Sequence, residues 1–193
     1  MTRPALFFDR DGVLNRNVHY ADSGEWESPR SFDDLAVFDD VPESLARLAA
    51  ADWLLILVSN QPSHAKGKTS LENLQAVHAA LEAVLKSKGV SLDAAYYCHH
   101  HPEGTVATYA GPCPCRKPSP HFLNKAAVAF DLDLAHCWIV GDRDTDIACG
   151  RAAGVRTIKV PGDDPTPRPE TTQPDFRAAD LAGAADIILG ITG

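Results

Sequence analysis

The chain has no excess of basic charge: 18 Lys and Arg stand against 26 Asp and Glu, a net charge of -8 over 193 residues. That excludes a nucleic-acid face held by electrostatics, which works by neutralising phosphates with Lys and Arg. Long apolar runs are missing too. No stretch reaches the roughly 20 residues that span a bilayer as a helix. The apolar stretch near the N-terminus, Ala5-Leu6-Phe7-Phe8, is too short for a secretory signal core. A cytoplasmic protein with no membrane partner is expected. Internal repeats are absent. The five cysteines include no C-x-x-C pair, the usual redox spacing, and a cytosolic chain is not expected to carry disulfides.

What is present suits one globular domain over residues 1–193, with 45 % hydrophobic residues. Short apolar runs alternate with helical periodicities. Strands are expected at residues 5–8, 53–58, 94–97, 137–140, 156–160 and 187–189. Helices are expected at 42–51, 70–88, 119–130, 144–153 and 177–184. The clearest is 70–88, where Leu71, Leu74, Val77, Leu81 and Leu85 share a face and Thr69-Ser70-Leu71-Glu72 has capping-box spacing. Residues 161–176, with five prolines and four carboxylates, read as a loop. This alternation predicts an α/β fold: a Rossmann-like parallel sheet with helices on both faces.

Asp9-Arg10-Asp11-Gly12 carries the chemistry. It follows a buried strand directly, so two carboxylates sit at a strand's carboxyl end, where open parallel sheets bind ligands. Two close anions need neutralising, and a divalent metal does so, which predicts a Mg²⁺ site with one carboxylate free as nucleophile. The pattern recurs at Ser59-Asn60 and at Gly141-Asp142-Arg143-Asp144-Thr145-Asp146. Arg116-Lys117-Pro118 precedes a helix between them. A second constellation, Cys98, His100, Cys113 and Cys115, reads C-x-H-x12-C-x-C. Four soft ligands of this kind favour tetrahedral Zn²⁺, which would staple an otherwise coreless loop at 98–115. His99, His101 and His78 are read as structural or solvated, and Cys137 and Cys149 as small buried hydrophobes.

Together these pieces resemble the motifs of the haloacid dehalogenase-like phosphohydrolases. The gaps after Asp11 and after Ser59 leave no room for a large cap domain, so a capless member is expected. The zinc loop resembles the histidinol-phosphatase and heptose-bisphosphatase branch. The loop length, Asn15, Ser59-Asn60-Gln61 and Tyr96-Tyr97-Cys98 are similar to the D-glycero-D-manno-heptose 1,7-bisphosphate 7-phosphatase form. Two segments depart from it: Pro62-Ser63-His64-Ala65-Lys66-Gly67, and Gly24-Glu25-Trp26 near His19-Tyr20.

The resemblance implies the roles. Asp9 is the nucleophile, and Asp11 the acid and base. Ser59 and Lys117 hold the transferring phosphoryl group. The Asp9 side chain, the Asp11 carbonyl and Asp142 hold Mg²⁺. Asp146 orients Lys117 or a metal-bound water. Asn15, Asn60, Lys66, Arg116 and Arg143 are candidate substrate contacts. The implied activity is hydrolysis of a small sugar phosphate, most closely heptose 1,7-bisphosphate at its 7-phosphate, by a monomer or small homo-oligomer. Histidinol phosphate as substrate, phosphotransfer to an alcohol, and a zinc-stapled phosphate-binding module without turnover stay open.

Overall fold

Every residue of the strand Ala5–Phe8 is buried, which requires apolar cover on both faces of its sheet. The computed structural model describes residues 3–192. In chain order its strands are β1 (Ala5–Phe8), β2 (Val18–Tyr20), β3 (Glu25–Glu27), β4 (Leu54–Asn60), β5 (Ala94–Cys98), β6 (Trp138–Gly141), β7 (Arg156–Lys159) and β8 (Phe176–Arg177). Its α-helices are α1 (Val41–Ala50), α2 (Leu71–Ser87), α3 (His121–Phe130), α4 (Asp144–Ala153) and α5 (Leu181–Thr192). Among the described residues six strands form one sheet in the order β5-β4-β1-β6-β7-β8, with every pairing parallel. The other two, β2 and β3, pair as an antiparallel hairpin.

Alternation along β1 divides the core in two. Leu6 and Phe8 pack with Leu55, Leu57 and Trp138 beneath α1, α2 and α5, which contribute Leu45, Leu81 and Ile188. Ala5 and Phe7 face the other way, toward Ile56 and Ile139, and are covered by Leu123 and Ala126 of α3 and Cys149 of α4. Helices therefore cover both faces, as the alternation predicts. Because the strands are parallel, the carboxyl ends of β1, β4 and β6 emerge side by side at one edge, and the site is built there.

Local sequence explains most boundaries. Ser70 caps α2 by accepting the Asn73 N–H, and Leu74, Val77, Leu81 and Leu85 are its buried stripe. The expected Thr69–Glu72 box does not form; the Thr69 hydroxyl instead donates to the Arg30 carbonyl at 2.6 Å. The C-terminal region differs more. Residues 187–189 are not a strand but lie inside α5, since Leu181, Ala184, Ala185 and Ile188 recur at helical spacing and are all buried. The helix expected from 177 begins only at Leu181, because Phe176 and Arg177 pair with β7 at the sheet edge. The loop between β7 and β8 is pinned by its own acids: Asp163 accepts from Asn17, Glu170 from Lys159 and Arg177, and Asp175 from Thr157. No helix among the described residues is long and apolar enough to cross a membrane.

Gly150 is the close-packing point of α4 on the sheet. A Cβ there would meet Ile139 Cγ2, and would lie 2.7 Å from Thr157 Cγ2. Gly to Ala inside a helix normally stabilises by about 1 kcal/mol. Here overpacking is expected to reverse the sign, so that Gly150→Ala lowers stability by about 1–3 kcal/mol. Urea unfolding of the two proteins checks this; an unchanged or raised midpoint would mean that α4 can shift outward at little cost.

Candidate active site

Three strand ends and one loop converge. β1 delivers Asp9 and Asp11, β4 delivers Ser59, Asn60 and Gln61, and β6 delivers Asp142. Lys117 comes from the loop before α3. Its ammonium is buried and lies 2.6 Å from Asp146 Oδ1 and 3.0 Å from Asp9 Oδ1, and it donates to the Val58 carbonyl at 2.7 Å. Burial alone would lower the pKa of this ammonium, but Asp146 and then Asp9 outweigh it and hold Lys117 above the usual lysine value. Asp146 is fully enclosed, and its Oδ2 accepts the Arg143 N–H at the start of α4. Gly141 lets it sit there, since a Cβ would strike the Asp146 side chain.

The two acids of Asp9-Arg10-Asp11 have different partners. Arg10 is completely buried. It donates twice to Asp11 Oδ1, at 3.1 and 3.0 Å, and once to Gln61 Oε1 at 2.8 Å. Asn15 Nδ2 also reaches Asp11 Oδ1, at 3.0 Å, and Gln61 Nε2 donates to Asp11 Oδ2 at 2.5 Å. Burial pushes the Asp11 carboxyl up, yet the Arg10 charge and the bonds from Asn15, Ser28 and Gln61 hold it below the ordinary carboxylate range. Asp9 faces Lys117, and Asp11 is caged on the other side.

Asp142 is the site's uncompensated carboxylate. Its Oδ1 is buried with no hydrogen-bond partner, and Arg143 approaches only to 3.8 Å. Burial, then the charges of Asp146 and Asp9, raise it well above the usual carboxylate value. Oxygens of Asp9, Asp142 and Asp146 lie within 4.8 Å of one another. Gly12 at φ +81° leaves the room beside Asp142, where a Cβ would come within 2.6 Å of Oδ2. An unpaired buried oxygen within a carboxylate cluster matches the oxygen-rich donor set of a hard divalent cation such as Mg²⁺.

A second cluster lies beyond β5. Ligand atoms of Cys98, His100, Cys113 and Cys115 fall within 4.8 Å of one another. The sulfurs are 3.2 to 3.5 Å apart, too far for disulfides, and His100 Nδ1 is 3.9 Å from the Cys115 sulfur. Burial raises the Cys98 thiol, so without a cation this packed set cannot easily hold several thiolates. The cluster is compatible with a tetrahedral metal. The loop it closes also bonds to the segment after β4, since Thr105 and Val106 donate to the Ala65 carbonyl at 2.7 and 3.0 Å.

A cavity of about 1000 Å³ opens over Asp9, Asp11, Lys117 and Asp142. Lys66, Arg116 and Arg143 line it. Arg116 donates to the His100 carbonyl, and among the described residues neither it nor Lys66 has a carboxylate partner. Asn15 is a correction: it is fully buried behind Asp11 and does not reach the cavity. Asn60 lines the cavity, but both ends of its amide are bonded to the Lys117 backbone, at 3.0 and 3.1 Å, so it fixes Lys117. Ser59 is buried at the end of β4, off the cavity lining, with its Oγ accepting from Gln61. His101 lines the cavity, and half-buried His99 packs edge-on to Tyr109. Sequence reasoning missed Arg10, Gln61 and Ser28. An arginine placed between two acids in a buried run was the available signal for the first.

Comparison with known proteins agrees with this layout. A family model described as HAD-hydrolase-like matches residues 114–184. The chain is 40 % identical to a D-glycero-D-manno-heptose-1,7-bisphosphate 7-phosphatase of Thermosynechococcus vestitus, across 97 % of this chain and 96 % of that one. It is 35 % identical to a D-glycero-beta-D-manno-heptose-1,7-bisphosphate 7-phosphatase of Vibrio cholerae, across 81 % and 80 %. Among solved structures, the D,D-heptose 1,7-bisphosphate phosphatase of B. bronchiseptica, complexed with magnesium and phosphate, superposes with a TM-score of 0.78 at 28 % identity, over 97 % of this chain and 99 % of that one. With likeness of this extent at both levels, the chain belongs to the HAD-like phosphatase family of which these heptose-bisphosphate phosphatases are members, and it is a phosphatase.

Proposed function

We propose that this single-domain protein is a Mg²⁺-dependent phosphomonoester hydrolase that removes the 7-phosphate of D-glycero-D-manno-heptose 1,7-bisphosphate. One observation carries the reading. The Asp9–Lys117 pair opens on the same cavity as two cations, Arg116 and Lys66, that have no carboxylate partner among the described residues. One phosphate is to be attacked, and the cations suit a second, distal one. The named substrates of the relatives have that form.

The steps fall to this chain's residues. An Asp9 carboxylate oxygen attacks phosphorus as the bond to the sugar oxygen breaks, giving an aspartyl phosphate. Asp11, ionised before the substrate arrives, takes up a proton as the anionic substrate binds beside it and gives that proton to the leaving sugar oxygen. It then takes a proton from the water that attacks the aspartyl phosphate and restores Asp9. Lys117 lies 3.0 Å from Asp9 Oδ1 and sets positive charge beside the phosphoryl oxygens. Mg²⁺ would be held by Asp9, Asp142 and the Asp11 carbonyl, and bound there it offsets repulsion between the anionic nucleophile and the anionic substrate. Asp146, with both oxygens engaged, positions Lys117. The cluster of Cys98, His100, Cys113 and Cys115 fills all four tetrahedral positions with protein ligands, which suits structural Zn²⁺.

Asp9→Asn is expected to lose activity by more than about a thousandfold while keeping its fold and zinc content. Asp11→Asn is expected to be slow but able to trap phosphoenzyme on Asp9. Steady-state kinetics and acid-quench labelling decide, and substantial turnover by Asp9→Asn would remove the mechanism.

Purified protein is expected to hold about one Zn²⁺ per chain and to need added Mg²⁺ for turnover. Cys113→Ser is expected to lose the zinc and disturb Arg116 and Lys117, which follow the cluster directly. Elemental analysis with chelator titration checks this; a zinc-free, folded and fully active sample would show that the loop needs no staple.

Heptose 1,7-bisphosphate is expected to exceed histidinol phosphate in kcat/KM, because the far end of histidinol phosphate is cationic and meets Arg116 and Lys66. Side-by-side kinetics test the choice, and a preference for histidinol phosphate would overturn the substrate while leaving the phosphatase assignment in place.

A further inference from the structure

The cavity's cations and carboxylates account for the phosphates but not for the carbon skeleton between them. A sugar phosphate also presents C–H faces, and these need an apolar surface. Trp26 supplies one. Among the described residues it is the only tryptophan, tyrosine or phenylalanine on the cavity lining.

It is held by a strand pairing and a ring contact. Trp26 lies in β3 opposite His19 of β2, and the two rings are tilted together with centroids 5.5 Å apart. The hairpin's acids are neutralised where they stand. Lys68 pairs with Glu25 at 3.0 Å and Glu27 at 2.5 Å, and Arg30 pairs with Glu27 at 2.8 Å while lying 3.9 Å over the Tyr20 ring. Two cavity-lining carboxylates that would repel an anionic substrate are thus tied to cations, and Trp26 stands between them on the lining. Two residues after Trp26, Ser28 hydrogen-bonds Asp11, so this wall runs directly into the proposed acid and base.

We infer that Trp26 is a specificity-determining residue: its ring is the wall against which the substrate's carbon skeleton packs while Lys117, beside Asp9, and the Arg116–Lys66 pair hold the two phosphates. This rests on the proposed sugar-bisphosphate reading. It predicts selection for phosphates carried on a skeleton long enough to reach from Asp9 to β3, over short acyclic phosphomonoesters.

The test has a spectroscopic and a kinetic arm. The chain has three tryptophans, and Trp53 and Trp138 are buried in the core, so ligand-dependent emission reports Trp26. In an Asp9→Asn background, heptose 1,7-bisphosphate is expected to shift or quench the emission, inorganic phosphate far less, and the added change Trp26→Phe to abolish the signal. In active protein, Trp26→Ala is expected to lose about tenfold more kcat/KM on heptose 1,7-bisphosphate than on glycerol 3-phosphate, chiefly through KM, with Trp26→Phe recovering most of the difference. Equal losses on the two substrates would show a merely structural role, and no loss on either would show no contact; both overturn the inference. If the unmodified enzyme does not cleave heptose 1,7-bisphosphate, the substrate reading falls. The same ratio, measured on whichever sugar phosphate it cleaves best, then decides the role of Trp26 separately.

Discussion

The catalytic edge depends on one buried ammonium. A parallel sheet brings the ends of β1 and β6 together, and here those ends and the first turn of α4 bring Asp9, Asp142 and Asp146 within a few ångströms. Such a cluster is unstable without opposite charge. Lys117 answers two of the three, held by Asp9, Asp146 and the Val58 carbonyl, with its backbone clamped from both sides by Asn60. Its position in turn descends from the cysteine and histidine cluster, since Cys115 stands two residues upstream and Arg116 reaches back to the His100 carbonyl. The third carboxylate, Asp142, remains without a partner on one oxygen, and that residual imbalance is what a divalent cation meets.

Two acids separated by one residue acquire distinct chemistry because their surroundings differ. Asp9 shares Lys117 with Asp146 and opens to the cavity. Asp11 is enclosed by Arg10, Asn15 and Gln61, which occupy both of its oxygens. Arg10 in turn lies 5.8 Å from the ring of Tyr97, whose hydroxyl meets His78 Nδ1 at 2.9 Å on α2. The orientation of the proposed acid and base is thus set by side chains from β1, the loop after β4, and β5.

Much of this was legible in the sequence, and the parts that were not share a cause. Fully apolar runs such as Leu54–Val58 mark strands buried on both faces, and an acid directly after such a run has only the sheet edge to occupy. The spacing of Cys98, His100, Cys113 and Cys115 required one location. Asn15, which the resemblance implies as a substrate contact, lies behind Asp11 instead, because the fold alone decides which side of the carboxylate it approaches. The run at 187–189 suits a strand as well as a helix, because a short apolar segment fits either period, and its packing against α1 and β6 selects the helix. Arg10, Gln61 and Ser28 went unrecognised for a related reason: their roles arise from partners that the fold, not the chain, makes adjacent.

The loops around the cavity are bonded to one another as well as to the sheet. Lys68, after β4, joins the β2–β3 hairpin through Glu25 and Glu27, and Ala65 in the same segment accepts from Thr105 and Val106 in the cysteine-and-histidine loop. Three stretches far apart in the chain are therefore bonded into one unit. A chimera that exchanged the hairpin alone would import partners for a lysine it did not bring, whereas one that moved all three together would keep its ion pairs intact. Altering the site's selectivity by recombination is thus a matter of transplanting a coupled set, and the sheet beneath can remain as it is.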